Sequence, residues 1–395
     1  MDRRDLLKTL GMTGAGTALA PGLLVGAEKQ ADDGLGFNFK TKHLIYLIIG
    51  NGSRKKEWYE SPEICPNAQR IAKEGFTYYE DHNVTTGSHG TSFTELLTGA
   101  PFFTGVPVFP TIPHYVRKAY GDEATKYWYL NGVSYYRQWR FNVKYFTSHS
   151  DFGEETRPVS LTTRHFFYEG HERTADQIVA EEFPDMGLTA AEKNKMEEFI
   201  ADIQARQDWN PIGLKNPPIP YDPYLSEARS LHVLPQIMQA FKPRMLLWQQ
   251  TGHDAGHGAG GYLRQETGWL DYSKVCRTTD EQIGRIFDFI KNDPYFSKNT
   301  TIVMRPEFGR DDEVNLYGEI HHSTGYYYAH RSASTFWGPD IKAGNSGLVV
   351  SRYDISKTID AMFNVDATYS RGQIRSHMFK DHVGELPEYR PYVVA

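Results

Sequence analysis

The sequence predicts an α/β protein with a doubly wound, mostly parallel central sheet, helices on both faces, and an insertion or cap. The continuous apolar run over 43–49 is typical of a strand that is buried on both faces, and 300–304 is predicted as a further strand. Residues 275–290 instead carry apolar side chains at helical spacing. Strand, loop and helix recur in this order, which indicates a parallel sheet whose functional loops gather at the carboxyl ends of the strands.

The elements follow one another in two groups, separated by a less regular region. The first group is predicted as a strand over 43–49, a helix over 66–74 ended by Gly75, a strand over 76–79 and a helix over 91–97. The second group is predicted as strands over 245–248, 300–304 and 334–337, with helices over 275–290 and 355–363. Pro66 suits the first position of its helix, because that position needs no backbone N–H donor.

The region from roughly 105 to 240 is expected to be an insertion or cap beside the core sheet. It contains aromatic clusters, Tyr127-Trp128-Tyr129 and Tyr135-Tyr136. Packing is the preferred interpretation of these rings, and a sugar-binding platform is the alternative. A helix is expected after Thr189, where Glu192 is spaced to close a capping box.

The N-terminus has the pattern of an export signal. Arg3-Arg4 precede a weakly apolar segment rich in Gly and Ala, and small residues follow at 25–27. We therefore predict a twin-arginine signal peptide over 1–27, a polar linker over 28–42 and a single α/β domain over 43–395. A soluble N-terminal helix is the alternative. The expected location is periplasmic or extracellular, without a stable membrane span.

Composition narrows the partners. The formal charge is −6, so there is no basic excess to indicate a nucleic-acid partner. The two cysteines, Cys65 and Cys276, are too few for a disulfide scaffold. We expect both to be buried packing residues, and the sequence leaves a single bridge between them open.

Three predicted strand ends carry residues that could bind a metal ion. Asp254 and His257 lie three apart in a glycine-rich loop, Glu307 directly follows a strand, and His321-His322 precede another. Two imidazoles and a carboxylate with an open position are typical of catalytic zinc. Zinc is therefore the expected divalent metal, and manganese or iron would accept the same ligands.

The order of these motifs resembles that of the alkaline phosphatase, sulfatase and nucleotide pyrophosphatase superfamily. The similar segments cover most of 43–100 and 245–365, and they include His43 to Arg54, Cys65-Pro66-Asn67 through Gly75-Phe76, Glu95 to Gly99, Thr301 to Gly309, Gly338 to Ile341 and Ser351 to Phe363. The resemblance implies an alkaline-phosphatase-like fold and hydrolysis of ester bonds. The region from roughly 105 to 240 has no counterpart in it.

The resemblance also implies two metal sites, of which the second is altered. Asp254, His257 and His322 match the ligands of the first site. At the second site Asn51 stands where the superfamily has an aspartate. The superfamily's Asp-His pair is matched by Glu307 and Phe308, and a phenyl ring cannot ligate a metal. The second ion would therefore be bound weakly or not at all.

The position of the superfamily's nucleophile falls on His89, flanked by Ser88 and Thr91. His89 could act as a nucleophile, as a general base for a neighbouring hydroxyl, or as a metal ligand. The alternative is a hydrogen-bonded histidine at a helix start. Arg54 and Arg310 are placed to face an oxyanion, or else to pair with nearby carboxylates.

The sequence thus favours an exported metal-dependent hydrolase of phosphate, phosphonate or sulfate esters, acting on a small-molecule or glycan ester. The alternative is a non-catalytic descendant that keeps the fold for binding, because the second site and the usual nucleophile are both altered. A third interpretation is an α/β protein with scattered histidines and no metal. The hydrolase hypothesis requires the proposed metal ligands and nucleophile candidates to meet at one place in the fold.

Overall fold

The computed structural model describes residues 39–50, 52–85, 87, 89–101, 108–131, 141, 151–163, 174–182, 188–205, 223–250, 272–311, 322 and 327–382. The predicted signal peptide, most of the linker, and Tyr135-Tyr136 lie outside these residues. Among the described helices, none combines the length and apolarity that crossing a bilayer would require.

A single eight-stranded sheet organises the described chain. Its strands are β1 (His43–Ile49), β2 (Phe76–His82), β3 (Tyr127–Asn131), β4 (Val159–Thr162), β5 (Met245–Gln250), β6 (Thr300–Pro306), β7 (Arg331–Trp337) and β8 (Gly344–Ser351). Their order across the sheet is β4-β3-β5-β1-β6-β7-β2-β8. All pairings are parallel except the two made by β7, which runs opposite to its neighbours β6 and β2.

Helices connect and cover the strands. The described α-helices are α1 (Pro66–Glu74), α2 (His89–Thr98), α3 (Ile112–Tyr120), α4 (Ala175–Glu182), α5 (Ala190–Ala205), α6 (Pro223–Phe241), α7 (Tyr272–Asn292), α8 (Phe296–Asn299), α9 (Tyr327–His330) and α10 (Arg352–Met362). A short π-helix, Lys56–Glu60, follows β1. The capping box expected at α5 is present, with Thr189 N donating to Glu192 Oε2 at 2.9 Å.

The predicted fold class is confirmed, because the observed sheet is mostly parallel and resembles that of alkaline phosphatases. The central strands β1, β5 and β6 are buried along their whole length, as the apolar runs of the sequence predict. Cys65 and Cys276 are both buried and both carry free thiols. They belong to the large apolar core formed by the central strands and the helices around them.

Two features differ from the prediction. The region from roughly 105 to 240 contributes β3 and β4 to the sheet itself, so the Tyr127-Trp128-Tyr129 cluster is part of a buried strand and not of a cap. Strand β8 falls in a segment with no predicted strand, and its side chains are largely half-exposed. An edge strand of this kind has neither a continuous apolar run nor a regular alternation to announce it.

Candidate functional site

Three of the predicted site residues converge on the side of the sheet where the parallel strands have their carboxyl ends, called below the site edge. His89 Nδ1 lies 3.3 Å from Glu307 Oε2. The imidazole rings of His89 and His322 meet edge to face, with their centroids 4.8 Å apart. Glu307 is almost fully buried, whereas 24% of the His89 side chain is exposed. One carboxylate and two imidazoles therefore share a partly exposed site.

The sheet topology brings these residues together. Glu307 follows β6 directly, and its backbone N–H donates to Ile49 O, at the end of the neighbouring strand β1, at 2.8 Å. His89 begins α2 shortly after β2, which runs parallel to β1. His322 precedes β7, and because β7 is antiparallel, its first residue lies at the same edge as the carboxyl ends of the others.

Phe308, which the superfamily resemblance matches to a metal-binding imidazole, packs against the two histidines of the cluster. Its ring is fully buried and lies 5.0 Å from that of His89 and 4.5 Å from that of His322. Gly52 approaches it from the β1 loop with a φ of 75°, and a Cβ there would come within 2.5 Å of the Phe308 ring. The position that the resemblance gives to an imidazole of the second metal site therefore carries an apolar ring in close packing.

His322 is held in a way that suits a metal ligand. Its Nδ1 lies 3.0 Å from the carbonyl oxygen of Gly87, and metal-binding histidines commonly use one nitrogen for such a contact. Nε2 is then the nitrogen through which it would bind an ion. Within the described residues, no three His, Cys, Asp or Glu side chains are arranged to hold a metal. The predicted ligands Asp254, His257 and Asn51 lie outside those residues.

The other nucleophile candidates are less favourably placed or lie outside the described chain. Ser88 is among the latter. Thr91 lies on α2, and only 5% of it is exposed. Of the candidates that the structure describes, His89 thus combines partial exposure with a carboxylate partner.

Arg54 is engaged by a carboxylate within its own loop. Its Nε donates to Glu57 Oε2 at 2.9 Å, and both residues are buried. The guanidinium groups of Arg54 and Arg310 each lie 5.2 Å from the centre of the Tyr272 ring. Burial raises the pKa of Tyr272, which stays neutral here. For Arg54 the structure therefore shows the carboxylate pairing that the sequence left as the alternative to an oxyanion contact.

Two buried ion pairs behind the cluster were missed by the sequence reasoning. Arg305 pairs with Asp81, with Nε 2.6 Å from Oδ2, and Arg352 pairs with Glu95, with Nη1 3.0 Å from Oε2. All four side chains are fully buried. Burial lowers the pKa of Arg352 to about 10 although Glu95 opposes this, so it is charged at neutral pH. The available signal was Arg305 itself, the charged residue of an otherwise uncharged and buried strand, which demands a buried partner.

Comparison with known proteins locates the fold but not the activity. No protein-family profile matches the sequence, and no curated protein sequence does. Among solved structures, the chain is similar to wild-type alkaline phosphatase PafA, with 8% identity, a TM-score of 0.57 and coverage of 87% of this chain and 99% of that one.

Two further similar structures are those of a sulfatase and a phosphonate monoester hydrolase. PsFucS1 sulfatase from Pseudoalteromonas sp. has 14% identity and a TM-score of 0.51, over 91% of this chain and 75% of its own. A phosphonate monoester hydrolase from Silicibacter pomeroyi has 13% identity and a TM-score of 0.51, and the match covers 89% of this chain and 78% of that one. These likenesses show that the chain has the fold of the alkaline phosphatase superfamily, and at such identities they show the fold alone.

Proposed function

We propose that this protein is an exported, metal-dependent hydrolase of phosphate, phosphonate or sulfate esters, with His89 in the central chemical role. The observation that carries the proposal is the meeting of His89, Glu307 and His322 at one sheet edge. Such convergence at the carboxyl ends of strands is where α/β proteins place their active sites. The likeness to phosphatase, sulfatase and phosphonate hydrolase structures supports the same class of reaction.

The contact between His89 and Glu307 gives the imidazole a defined task. The Nδ1–H of His89 would donate a hydrogen bond to the Glu307 carboxylate. This hydrogen bond would fix the tautomer and the orientation of the imidazole ring. Nε2 would be the basic nitrogen, able to attack the ester's central atom or to accept the proton of a hydroxyl or water. The buried Phe308 ring against His89 limits the positions that the imidazole can adopt.

The metal would be held by Asp254, His257 and His322, with Glu307 and Asn51 beside it. Zinc is the first choice, and manganese or iron would accept the same oxygen and nitrogen ligands. When bound, such an ion supplies stabilisation of negative charge on the ester oxygens. With Phe308 in place of an imidazole, one strongly held ion is expected rather than two.

Elemental analysis combined with an ester screen tests the proposal. Protein refolded with zinc, manganese or iron should retain close to one ion per chain, and His257→Ala should lose it. Turnover of nitrophenyl phosphate, sulfate or phenylphosphonate should fall in His89→Ala. His82→Ala is the matched control, because His82 is similarly exposed and also bonds a carboxylate, Glu80, at 3.1 Å. Protein that retains no ion after refolding with these metals, or that binds one and hydrolyses none of the three esters, would contradict the proposal.

The second candidate function is a binding protein that keeps the fold without turnover. The specific observation in its favour is Phe308, whose phenyl ring occupies the place of a ligand. This candidate expects bound metal but no hydrolysis of any of the three esters. Turnover that depends on His89 would eliminate it.

Export by a twin-arginine signal over residues 1–27 is part of the proposal. It is supported by Arg3-Arg4 and the apolar segment after them. Expression with Arg3→Lys and Arg4→Lys together should retain the protein in the cytoplasm, as fractionation and immunoblotting would show. Undiminished export of that variant would refute this part alone.

A further inference from the structure

Arg305 uses its guanidinium to hold several groups at once. Nε and Nη2 donate to the two carboxylate oxygens of Asp81 at 2.6 and 2.9 Å. Nη2 also donates to Asn83 Oδ1 at 3.1 Å. Nη1 donates to the backbone carbonyls of Pro306 and Glu307 at 2.5 and 3.2 Å. All three nitrogens of this planar group are therefore occupied, and the side chain is fully buried.

These contacts connect separate elements of the site edge. Pro306 and Glu307 form the turn after β6, whereas Asp81 and Asn83 lie at and after the end of β2. Strand β7 lies between β6 and β2 in the sheet, so the guanidinium bridges two strands that do not pair with each other. The Ser334 hydroxyl of β7 also donates to Asp81, which ties the middle strand to the same carboxylate.

Asn83 extends the connection to the segment that enters β7. Its side-chain amide donates to Ala329 O at 3.2 Å, and its backbone N–H donates to His330 O at 2.7 Å. Ala329 O also accepts from Gly309 N at 3.0 Å, just after the Glu307 turn. Ala329 lies against Gly87, whose carbonyl contacts His322. Hydrogen bonds and packing contacts thus connect Arg305 with both Glu307 and His322.

A fully buried ion pair is an expensive way to join strands, because desolvation of the two charges offsets much of their attraction. Apolar residues would pack the same strands at least as well. Lysine could keep the charge, but its single ammonium group cannot reproduce a planar fork that reaches the carboxylate, the amide and two carbonyls together. The shape of the guanidinium, and not only its charge, is what this position uses.

We propose that Arg305, anchored on Asp81, is a positioning residue that fixes the Glu307 turn relative to the segment entering β7. Glu307 in turn is the carboxylate that orients His89. The kinetic consequence of this inference rests on the proposed function, whereas the geometric consequence does not.

Arg305→Lys tests the inference, with Arg244→Lys as the matched control. Arg244 also forms an ion pair, with Asp122, but it stands before the amino end of β5, at the opposite edge of the sheet. The first readout is the rate at which diethyl pyrocarbonate modifies His89, measured by peptide mass spectrometry, which needs no substrate. The second is kcat and KM on whichever of nitrophenyl phosphate, sulfate or phenylphosphonate the wild type hydrolyses fastest. The pH profile of kcat is recorded with it.

In Arg305→Lys, we expect diethyl pyrocarbonate to modify His89 at least about threefold faster than in the wild type. We also expect kcat to fall by about 100-fold with little change in KM, and the pH profile of kcat to shift. Arg244→Lys should change none of these. An unchanged modification rate in folded Arg305→Lys would overturn the inference. If the wild type hydrolyses no ester, the proposed function fails but the modification rate still decides this inference. Should Arg305→Lys not fold, Asn83→Ala is assessed by the same modification rate.

Discussion

Gly52→Ala probes the contact between the β1 loop and the site. Gly52 has a φ of 75°, which an alanine adopts at a cost of about 1–2 kcal/mol. The new Cβ would also lie 2.5 Å from two carbons of the Phe308 ring and 2.9 Å from Gly309 O. Crowding of this kind in a packed interior costs about 1–3 kcal/mol. The free energy of unfolding should therefore fall by roughly 2–5 kcal/mol.

Gly121→Ala separates the two contributions. Gly121 has a φ of 63°, but a Cβ there would meet no atom within 4 Å. This variant should lose only the backbone part, about 1–2 kcal/mol. The difference between the two variants is then the cost of crowding Phe308 and Gly309 O.

Urea unfolding of the purified protein, followed by circular dichroism, measures both losses. The same measurement in a Phe308→Ala background gives a double-mutant cycle, in which Gly52→Ala should become less costly by about 1–3 kcal/mol. If Gly52→Ala destabilises no more than Gly121→Ala, or if the cycle shows no coupling, then Phe308 does not pack against this loop as described.

Three further predictions concern the site and the charges around it. Phe308→His adds an imidazole beside two others and should tighten zinc binding about tenfold or more, measured by calorimetry; unchanged affinity would contradict the assignment of this position. Glu95→Gln leaves Arg352 buried without its carboxylate and should cost about 3–5 kcal/mol in urea unfolding, so a loss below about 1 kcal/mol would refute the importance of that pair. Burial alone would raise the pKa of Glu80, but hydrogen bonds from His82 and Arg331 lower it from 4.5 to about 2. Its pairing therefore adds stability above pH 4.5 that is lost as the pH falls towards 2, and Glu80→Gln should flatten that part of an acid-unfolding curve.

The fold was predictable where burial on both faces leaves an unambiguous pattern. The run that became β1 is continuous and apolar, β6 has the apolar centre Ile302-Val303-Met304, and α1 begins at Pro66 and ends before Gly75 as the sequence indicates. Strand β3 was harder to assign, because Tyr127-Trp128-Tyr129 are equally suited to a cap. Strand β8 pairs with β2 across a distance in sequence that local patterns do not encode.

The site was predictable in its residue types and less so in its geometry. That Glu307 follows a buried strand could be read from the sequence, and its proximity to His89 follows from the parallel sheet. His322 reaches the same edge because β7 is antiparallel to its neighbours. The direction of a strand within a sheet cannot be read from the residues of that strand. The pairing of Arg305 with Asp81 depends on which strands are neighbours, which is a property of the whole sheet.

The reversed direction of β7 has a consequence for how this protein could diversify. Strands β6 and β7 are antiparallel neighbours, so the chain between Glu307 and His330 leaves the sheet and returns to it at one edge. Because this segment carries Phe308 and His322 of the candidate site, changing its length or sequence would alter the site while both anchoring strands keep their register. The segment is therefore a natural point for grafting, at which new recognition could be tried without rebuilding the scaffold.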